Sequence, residues 1–228
     1  MSALPYRLLV FDWDGTLMDS IGTIVDCTLA AFEGIEEVPP PARERIRESI
    51  GMGLVETMQH HFPNWEEKLL ERIADNYRRQ WRARFKDCVT LFPQSFATIR
   101  ALHEAGYLLG VATAKGRVGL ERELLATGLA PYFHGTRTVD EAPSKPAPGM
   151  LLGLYDELGV RPEETLMIGD TSFDLEMANN ARCSAVGVLT GAQTAAHFAP
   201  HAPLAVLESV ADLPAWLERR LAPPLSNR

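Results

Sequence analysis

The segment Phe11-Asp12-Trp13-Asp14-Gly15-Thr16-Leu17-Met18-Asp19-Ser20 carries an apolar run directly into two carboxylates. Within the predicted strand Tyr6–Phe11, Leu8–Phe11 is continuously hydrophobic rather than alternating, the pattern of a strand buried on both faces of a parallel sheet. Asp12 and Asp14 therefore stand at a strand end, and open α/β sheets place their ligands at the carboxyl ends of their strands. Gly15 allows a sharp turn there. Alone, Asp-x-Asp-Gly also describes an ordinary turn with an incidental second aspartate, so the rest of the chain has to discriminate.

Three more apolar runs read as strands: Tyr107–Thr113, Thr165–Gly169 and Ser184–Leu189. Helical periodicity lies between and beyond them at Gln94–Glu104, Val118–Thr127, Pro148–Leu158 and Phe173–Ala181, mostly closed by glycine. Such alternation predicts an α/β fold, a doubly wound parallel sheet of Rossmann-like type covered on both faces. Residues Asp19 to Val89 break it. They read as consecutive helices (Ile21–Glu33, Ala42–Ile50, Leu54–His61 and Trp65–Phe85) punctuated by Pro39-Pro40-Pro41, Gly51-Met52-Gly53 and Pro63. The expected organisation is a catalytic core of 1–18 and 90–228 with a helical cap domain of 19–89 inserted after the first strand. The tail Pro223–Arg228 is expected to fray.

Composition narrows the function. The net charge of −8 and the lack of any long basic run argue against nucleic-acid binding. No apolar stretch approaches the ~20 residues of a membrane span, and Leu8–Phe11 is too short for a signal-peptide core. Three widely spaced cysteines match no zinc pattern and read as reduced thiols of a cytoplasmic protein.

Each remaining strand end adds a polar group. Tyr107–Thr113 ends in Thr113-Ala114-Lys115, a hydroxyl followed by a backbone amide; as a lone feature it equally describes a helix cap. Lys145 lies in Ser144-Lys145-Pro146-Ala147-Pro148, fixed by prolines. Thr165–Gly169 opens into Asp170-Thr171-Ser172-Phe173-Asp174, where an N-cap explains one aspartate but not two.

In this order the four motifs resemble those of the haloacid dehalogenase-like hydrolase superfamily: Asp-x-Asp-Gly-Thr, a strand ending in Thr, Lys-Pro, and Gly-Asp-x-x-x-Asp. The insert is similar to its small helical cap. Thr16-Leu17-Met18-Asp19-Ser20 and Ser144-Lys145-Pro146-Ala147-Pro148 are similar to the phosphoglycolate phosphatase group within it. The resemblance implies a phosphatase acting on a small phosphorylated metabolite, phosphoglycolate-like, through an aspartyl-phosphate. Asp12 would be the nucleophile and Asp14 the acid and base. Lys145 would neutralise phosphate and nucleophile, while Thr113 and the Ala114 amide hold phosphoryl oxygens. Mg²⁺ would be held by the Asp12 carboxylate, the Asp14 carbonyl and Asp170, with Asp174 supporting that shell.

Several readings stay open. Lys115 is either a family-typical residue or a solvated lysine. Ile50-Gly51-Met52-Gly53 is either a loop over the site or a plain turn. Arg43, Arg45, Arg47, Arg78, Arg79, Arg82 and Arg84 fit solvated helix faces with Glu44, Glu48 and Glu71 better than substrate ligands. Trp65 and Trp81 read as cap core. Monomer and homodimer are equally compatible, and so is a phosphomutase. A catalytically silent relative would show a broken motif, and a dehalogenase would need neither Asp14 nor a metal. Gly51-Met52-Gly53-Leu54-Val55-Glu56 lacks the third glycine of a dinucleotide fingerprint, and no P-loop occurs.

Overall fold

A computed structural model describes residues 6–221; the expectation for Pro223–Arg228 lies outside them. Strand β1 is Leu8–Phe11, and β2 (Met18–Asp19) follows it closely. Helices α1 (Ile21–Ala30), α2 (Arg43–Ser49), α3 (Leu54–His61) and α4 (Glu67–Gln80) come next, α4 running on into a π-helical turn at Trp81–Phe85. The chain then returns through β3 (Thr90–Leu91) and α5 (Ser95–Glu104). It continues as β4 (Leu108–Thr113), α6 (Arg117–Thr127), β5 (Gly135–Thr138), α7 (Gly149–Leu158), β6 (Thr165–Gly169) and α8 (Ser172–Asn180). It closes with β7 (Ser184–Val188), α9 (Ala195–Phe198), β8 (Val206–Leu207) and α10 (Leu213–Leu221).

Six strands form one sheet in the order β5-β4-β1-β6-β7-β8, all parallel. Each buried strand turns alternate side chains to opposite faces. Leu9 and Phe11 of β1 join Ile99, Leu120 and Leu213 on one face. Leu8 and Val10 join Met150, Leu154 and Leu175 on the other. Both faces are thus covered by helices, which is why β1, β4, β6 and β7 are apolar throughout and readable from sequence. The sheet has two strands that the sequence reading missed. β5 is Gly-Thr-Arg-Thr on the edge, with a single neighbour and two half-exposed residues, so it lacks an apolar signature. β8 is only two residues long.

The helices between Asp19 and Val89 share their own apolar cluster around Phe32, Met58, Leu70 and Ile73. Trp65 is stacked on Phe62 with ring centres 3.6 Å apart. At the base of this insert, β2 and β3 pair antiparallel, Met18 opposite Leu91 and Asp19 opposite Thr90. This two-residue ribbon clamps the ends of the insert together, too short to carry a hydrophobic pattern. The expected helix Ile21–Glu33 stops at Ala30, and Trp65–Phe85 begins only at Glu67.

Leu109 is fully buried on β4, between β5 and β1. Leu109→Ala should lower the unfolding free energy by about 3 kcal/mol, since the cavity it leaves cannot collapse inside a sheet held on both faces. Urea denaturation monitored by tryptophan fluorescence gives the value.

Candidate active site

The backbone amide of Asp12 donates to the Ile168 carbonyl at 2.9 Å, extending the β1–β6 pairing by one residue. Asp12 is thereby set at the carboxyl edge of the sheet. The chain turns at Gly15, whose φ of +81° favours glycine. A Cβ on Gly15, or on Gly191, would collide with the side chain of Asp170. Both glycines are what let that carboxylate sit between two loops.

Asp170 leaves the end of β6, where Oδ1 accepts from the Thr16 hydroxyl at 2.9 Å and Oδ2 from the Ala192 amide at 2.8 Å. Asp174, in the first turn of α8, accepts from the Thr171 amide (3.1 Å) and hydroxyl (2.8 Å) with Oδ2. One oxygen of Asp174 therefore caps the helix, and the other is available elsewhere. That other oxygen lies 2.6 Å from Lys145 Nζ, which also stands 2.7 Å from Asp12 Oδ1. Lys145 comes from the loop before α7, and its side chain is 0% exposed. Asp12 Oδ1 additionally accepts from the Trp13 amide at 2.7 Å.

Asp12, Asp170 and Asp174 offer carboxylate oxygens all within 4.8 Å of one another, and all three are buried. Three carboxylates face one ammonium. Burial pushes the Asp12 carboxyl well above its ordinary value; Lys145 opposes the shift, while Asp174 and Asp170 reinforce it. Asp170 is pushed up to about 7 by burial and by Asp174, against the Ala192 and Thr16 hydrogen bonds. Burial works against the charge of Lys145, but Asp12 and Asp174 outweigh it and hold its pKa above the usual lysine range. Three carboxylates crowded around one ammonium resist ionising together, and a further cation would relieve that repulsion. Clustered carboxylate oxygens in this condition fit a hard divalent cation.

Asp14 sits apart from this cluster. Its Oδ1 accepts from the Ser20 hydroxyl at 2.7 Å, and its Oδ2 is 3.2 Å from Lys115 Nζ. The solvated reading of Lys115 is overturned, because its side chain is 11% exposed and is shared between Asp14 and Glu123 Oε1, 3.2 Å away. Glu123 is buried on α6, where its Oε2 accepts from Trp13 Nε1 at 2.7 Å. The ring of Trp81 lies 5.0 Å from Lys115 Nζ, so this tryptophan reaches the site rather than only filling the insert. Glu123 and Trp13 were missed from sequence. The signal available was a charged residue on the core-facing stripe of α6, beside Leu120 and Leu124.

Thr113 is buried at the end of β4, and its hydroxyl oxygen accepts from the Lys115 amide at 3.2 Å, leaving the hydroxyl hydrogen to donate. Thr113, Ala114, Asp12 and Asp14 line a cavity of about 840 Å³ between the sheet edge and the insert. Lys145 and Asp170 lie beneath that surface. The Gly51–Gly53 loop meets the core, with the Gly53 amide donating to Ser144 Oγ at 2.6 Å beside Lys145. The arginines of the insert find partners other than the expected glutamates: Arg43 pairs with Asp26, Arg78 with Asp75 and Arg84 with Glu33. Arg47 instead reaches the core, donating to the carbonyls of Gly191 and Ala192.

A family model described as haloacid dehalogenase-like hydrolase matches residues 9–188. A phosphoglycolate phosphatase of Vibrio vulnificus is 29% identical over 224 residues, covering 93% of this chain and 96% of that one. A pyrophosphatase, PpaX, of Listeria innocua is 30% identical over 206 residues, covering 90% and 93%. The crystal structure of a hydrolase from Pseudomonas syringae superposes with a TM-score of 0.85 at 25% identity, covering 94% of this chain and 99% of that one.

In the folded chain Asp170 keeps its proton up to about pH 7, whereas the unfolded chain releases it near 3.8. The folded state binds more protons in that window, so its contribution to stability is full below pH 4 and is lost as pH rises through 7. In EDTA, the wild type should lose stability of the order of 3 kcal/mol between pH 4 and pH 8 through this group. Asp170→Asn should flatten that slope in urea titrations at the two pH values.

Proposed function

The chain belongs to the haloacid dehalogenase-like hydrolase family and is a phosphatase, and from that premise we propose Mg²⁺-dependent hydrolysis of a small phosphomonoester through an aspartyl-phosphate on Asp12. The observation that carries this reading is the cluster of three buried carboxylates around a single ammonium at the end of β1.

Asp12 is the nucleophile. Lys145 and the Trp13 amide engage its Oδ1, which orients the carboxylate and leaves Oδ2 to attack phosphorus. Carboxylate attack replaces one difficult displacement by two easier ones. The first forms the Asp12 acyl-phosphate as the ester oxygen departs with a proton. The second is attack of water on phosphorus, which returns the carboxylate and releases phosphate. Asp14 gives the proton in the first half and takes one from water in the second. Ser20 and Lys115 hold it away from the Asp12 cluster, so it faces the cavity rather than the buried charges. Thr113 and the Ala114 amide receive phosphoryl oxygens, and Lys145 offsets their charge from below.

A Mg²⁺ ion held by the Asp12 carboxylate, the Asp14 carbonyl and Asp170 would supply charge neutralisation for the phosphoryl group. The mutual repulsion of the clustered carboxylates is what favours it. Asp174 supports the site through Lys145 and the Thr171 cap. Residues 19–89 act as a cap domain over the cavity, and the protein works in the cytoplasm. A phosphomutase would share the first half-reaction, so release of inorganic phosphate rather than isomerised sugar phosphate is the discriminating readout.

Asp12→Asn should reduce p-nitrophenyl phosphate hydrolysis to about 10⁻⁴ of wild type or below with the fold retained by circular dichroism. EDTA should silence the wild type, and added Mg²⁺ should restore it. Asp14→Asn keeps the backbone carbonyl and removes the proton donor. It should cost about 10²–10⁴-fold in kcat/KM on an alkyl phosphate, and far less on 2,4-dinitrophenyl phosphate, whose leaving group needs no proton. Equal losses on both substrates would overturn the acid role.

A further inference from the structure

The cavity of about 840 Å³ above Asp12 lies within the range, about 300–1,000 Å³, of pockets that enclose ligands of drug-like size. Its floor is polar, formed by Asp12, Asp14 and Thr113. The insert supplies Ile24, Ile46, Ile50, Met52, Leu54 and Val55 to its roof, with Thr28, Ser49 and Thr57 as polar members. Tyr77 and Trp81 add aromatic surface at one side. At the mouth, Val118 is 80% exposed and Val55 37%. Such apolar surface left uncovered beside a polar floor marks a place where a ligand removes it from water. The roof serine, Ser49, is already committed to the Ile46 carbonyl at 2.8 Å and to His61 Nε2 at 2.9 Å.

The cations around this cavity are the second observation. A phosphoglycolate or pyrophosphate substrate carries an anionic group beyond the transferred phosphoryl and needs a cation for it. Lys145 is taken by Asp12 and Asp174, and Lys115 by Asp14 and Glu123. Arg122 pairs with Glu123 at 3.1 Å, and Arg78 with Asp75 at 2.7 Å. Arg82 is the one lining cation without a carboxylate partner among the described residues, and it is exposed, where an ion pair gains little over water. Glu56 and Asp140 add negative charge to the same lining.

We infer that the substrate is a phosphomonoester whose body beyond the phosphoryl group is uncharged and apolar, and that this body packs against the roof of the insert. The inference rests on the phosphatase reading above and names the substrate class of that same site. Val55, Val118 and the partly exposed Ile24, Met52 and Leu54 then decide specificity by burying carbon, while the phosphoryl machinery beneath is indifferent to what it releases.

The test measures kcat/KM for phosphate release by the full chain with Mg²⁺. The substrates are methyl, ethyl, propyl and butyl phosphate, a series in which the leaving alkoxide changes little, with phosphoglycolate and pyrophosphate alongside. Each methylene buried against the roof should raise kcat/KM about threefold, roughly thirtyfold from methyl to butyl. Butyl phosphate should exceed phosphoglycolate at least about tenfold. Val55→Asp should lower the butyl-to-methyl ratio toward one, and so should Val118→Asp, a position exposed enough to leave folding untouched. The ratio cancels any general loss of rate. A flat series, an unchanged ratio in both variants, or a preference for phosphoglycolate or pyrophosphate would overturn the apolar-body inference and leave the phosphatase reading standing. Failure of the folded protein to release phosphate from every substrate, p-nitrophenyl phosphate included, would instead overturn the Mg²⁺-phosphatase proposal.

Discussion

Lys145 lies between Asp12 and Asp174 with its side chain wholly withdrawn from water, and the surrounding structure is arranged to make that burial tolerable. Desolvating an ammonium and several carboxylates costs more than a single ion pair returns unless the geometry is good and the remaining oxygens are hydrogen-bonded. Local devices answer most of those oxygens: the Thr171 cap holds Asp174 Oδ2, Thr16 and the Ala192 amide hold both oxygens of Asp170, and the Trp13 amide joins Lys145 on Asp12 Oδ1. What these devices do not remove is the mutual repulsion of three clustered carboxylates.

A second network keeps Asp14 separate from Asp12. Glu123 draws Lys115 toward α6, Lys115 draws Asp14 with it, and Trp13 ties the same glutamate to the loop that bears both aspartates. Two carboxylates two residues apart thus face different cations, Asp12 facing Lys145 and Asp14 facing Lys115. One spacing in sequence becomes two electrostatic environments, as the proposed division of roles between the two carboxylates requires. Trp81 places its ring over the same lysine and couples the insert to this arrangement.

Much of the site was legible because its residues are punctuation at strand ends. Asp12, Thr113 and Asp170 each follow a buried apolar run, and a buried parallel strand advertises itself without long-range information. β5 and β8 were not legible, one being a polar edge and the other two residues long. Glu123 was hidden for a different reason. On a helix, a glutamate reads as solvent-facing until its neighbours are known, and its partners Trp13 and Lys115 lie 110 and 8 residues away in the chain. Lys115 and Trp81 were similarly ambiguous, since a loop lysine is ordinarily solvated and an insert tryptophan ordinarily fills its own core.

The sequence by itself determined the α/β alternation, the position of the helical insert, and the carboxylates, hydroxyl and lysine of the four motifs, because hydrophobic periodicity and residue type are local properties. Tertiary structure alone decided which charges neutralise which. Coulombic pairing and desolvation depend on distances between residues far apart in the chain, and no local pattern encodes them. It therefore decided that Lys145 belongs to Asp12 and Asp174, that Lys115 belongs to Asp14 and Glu123, and that aliphatic side chains of the insert stand over Asp12. The segment from Phe11 to Ser20 announced two aspartates, and the fold made them different.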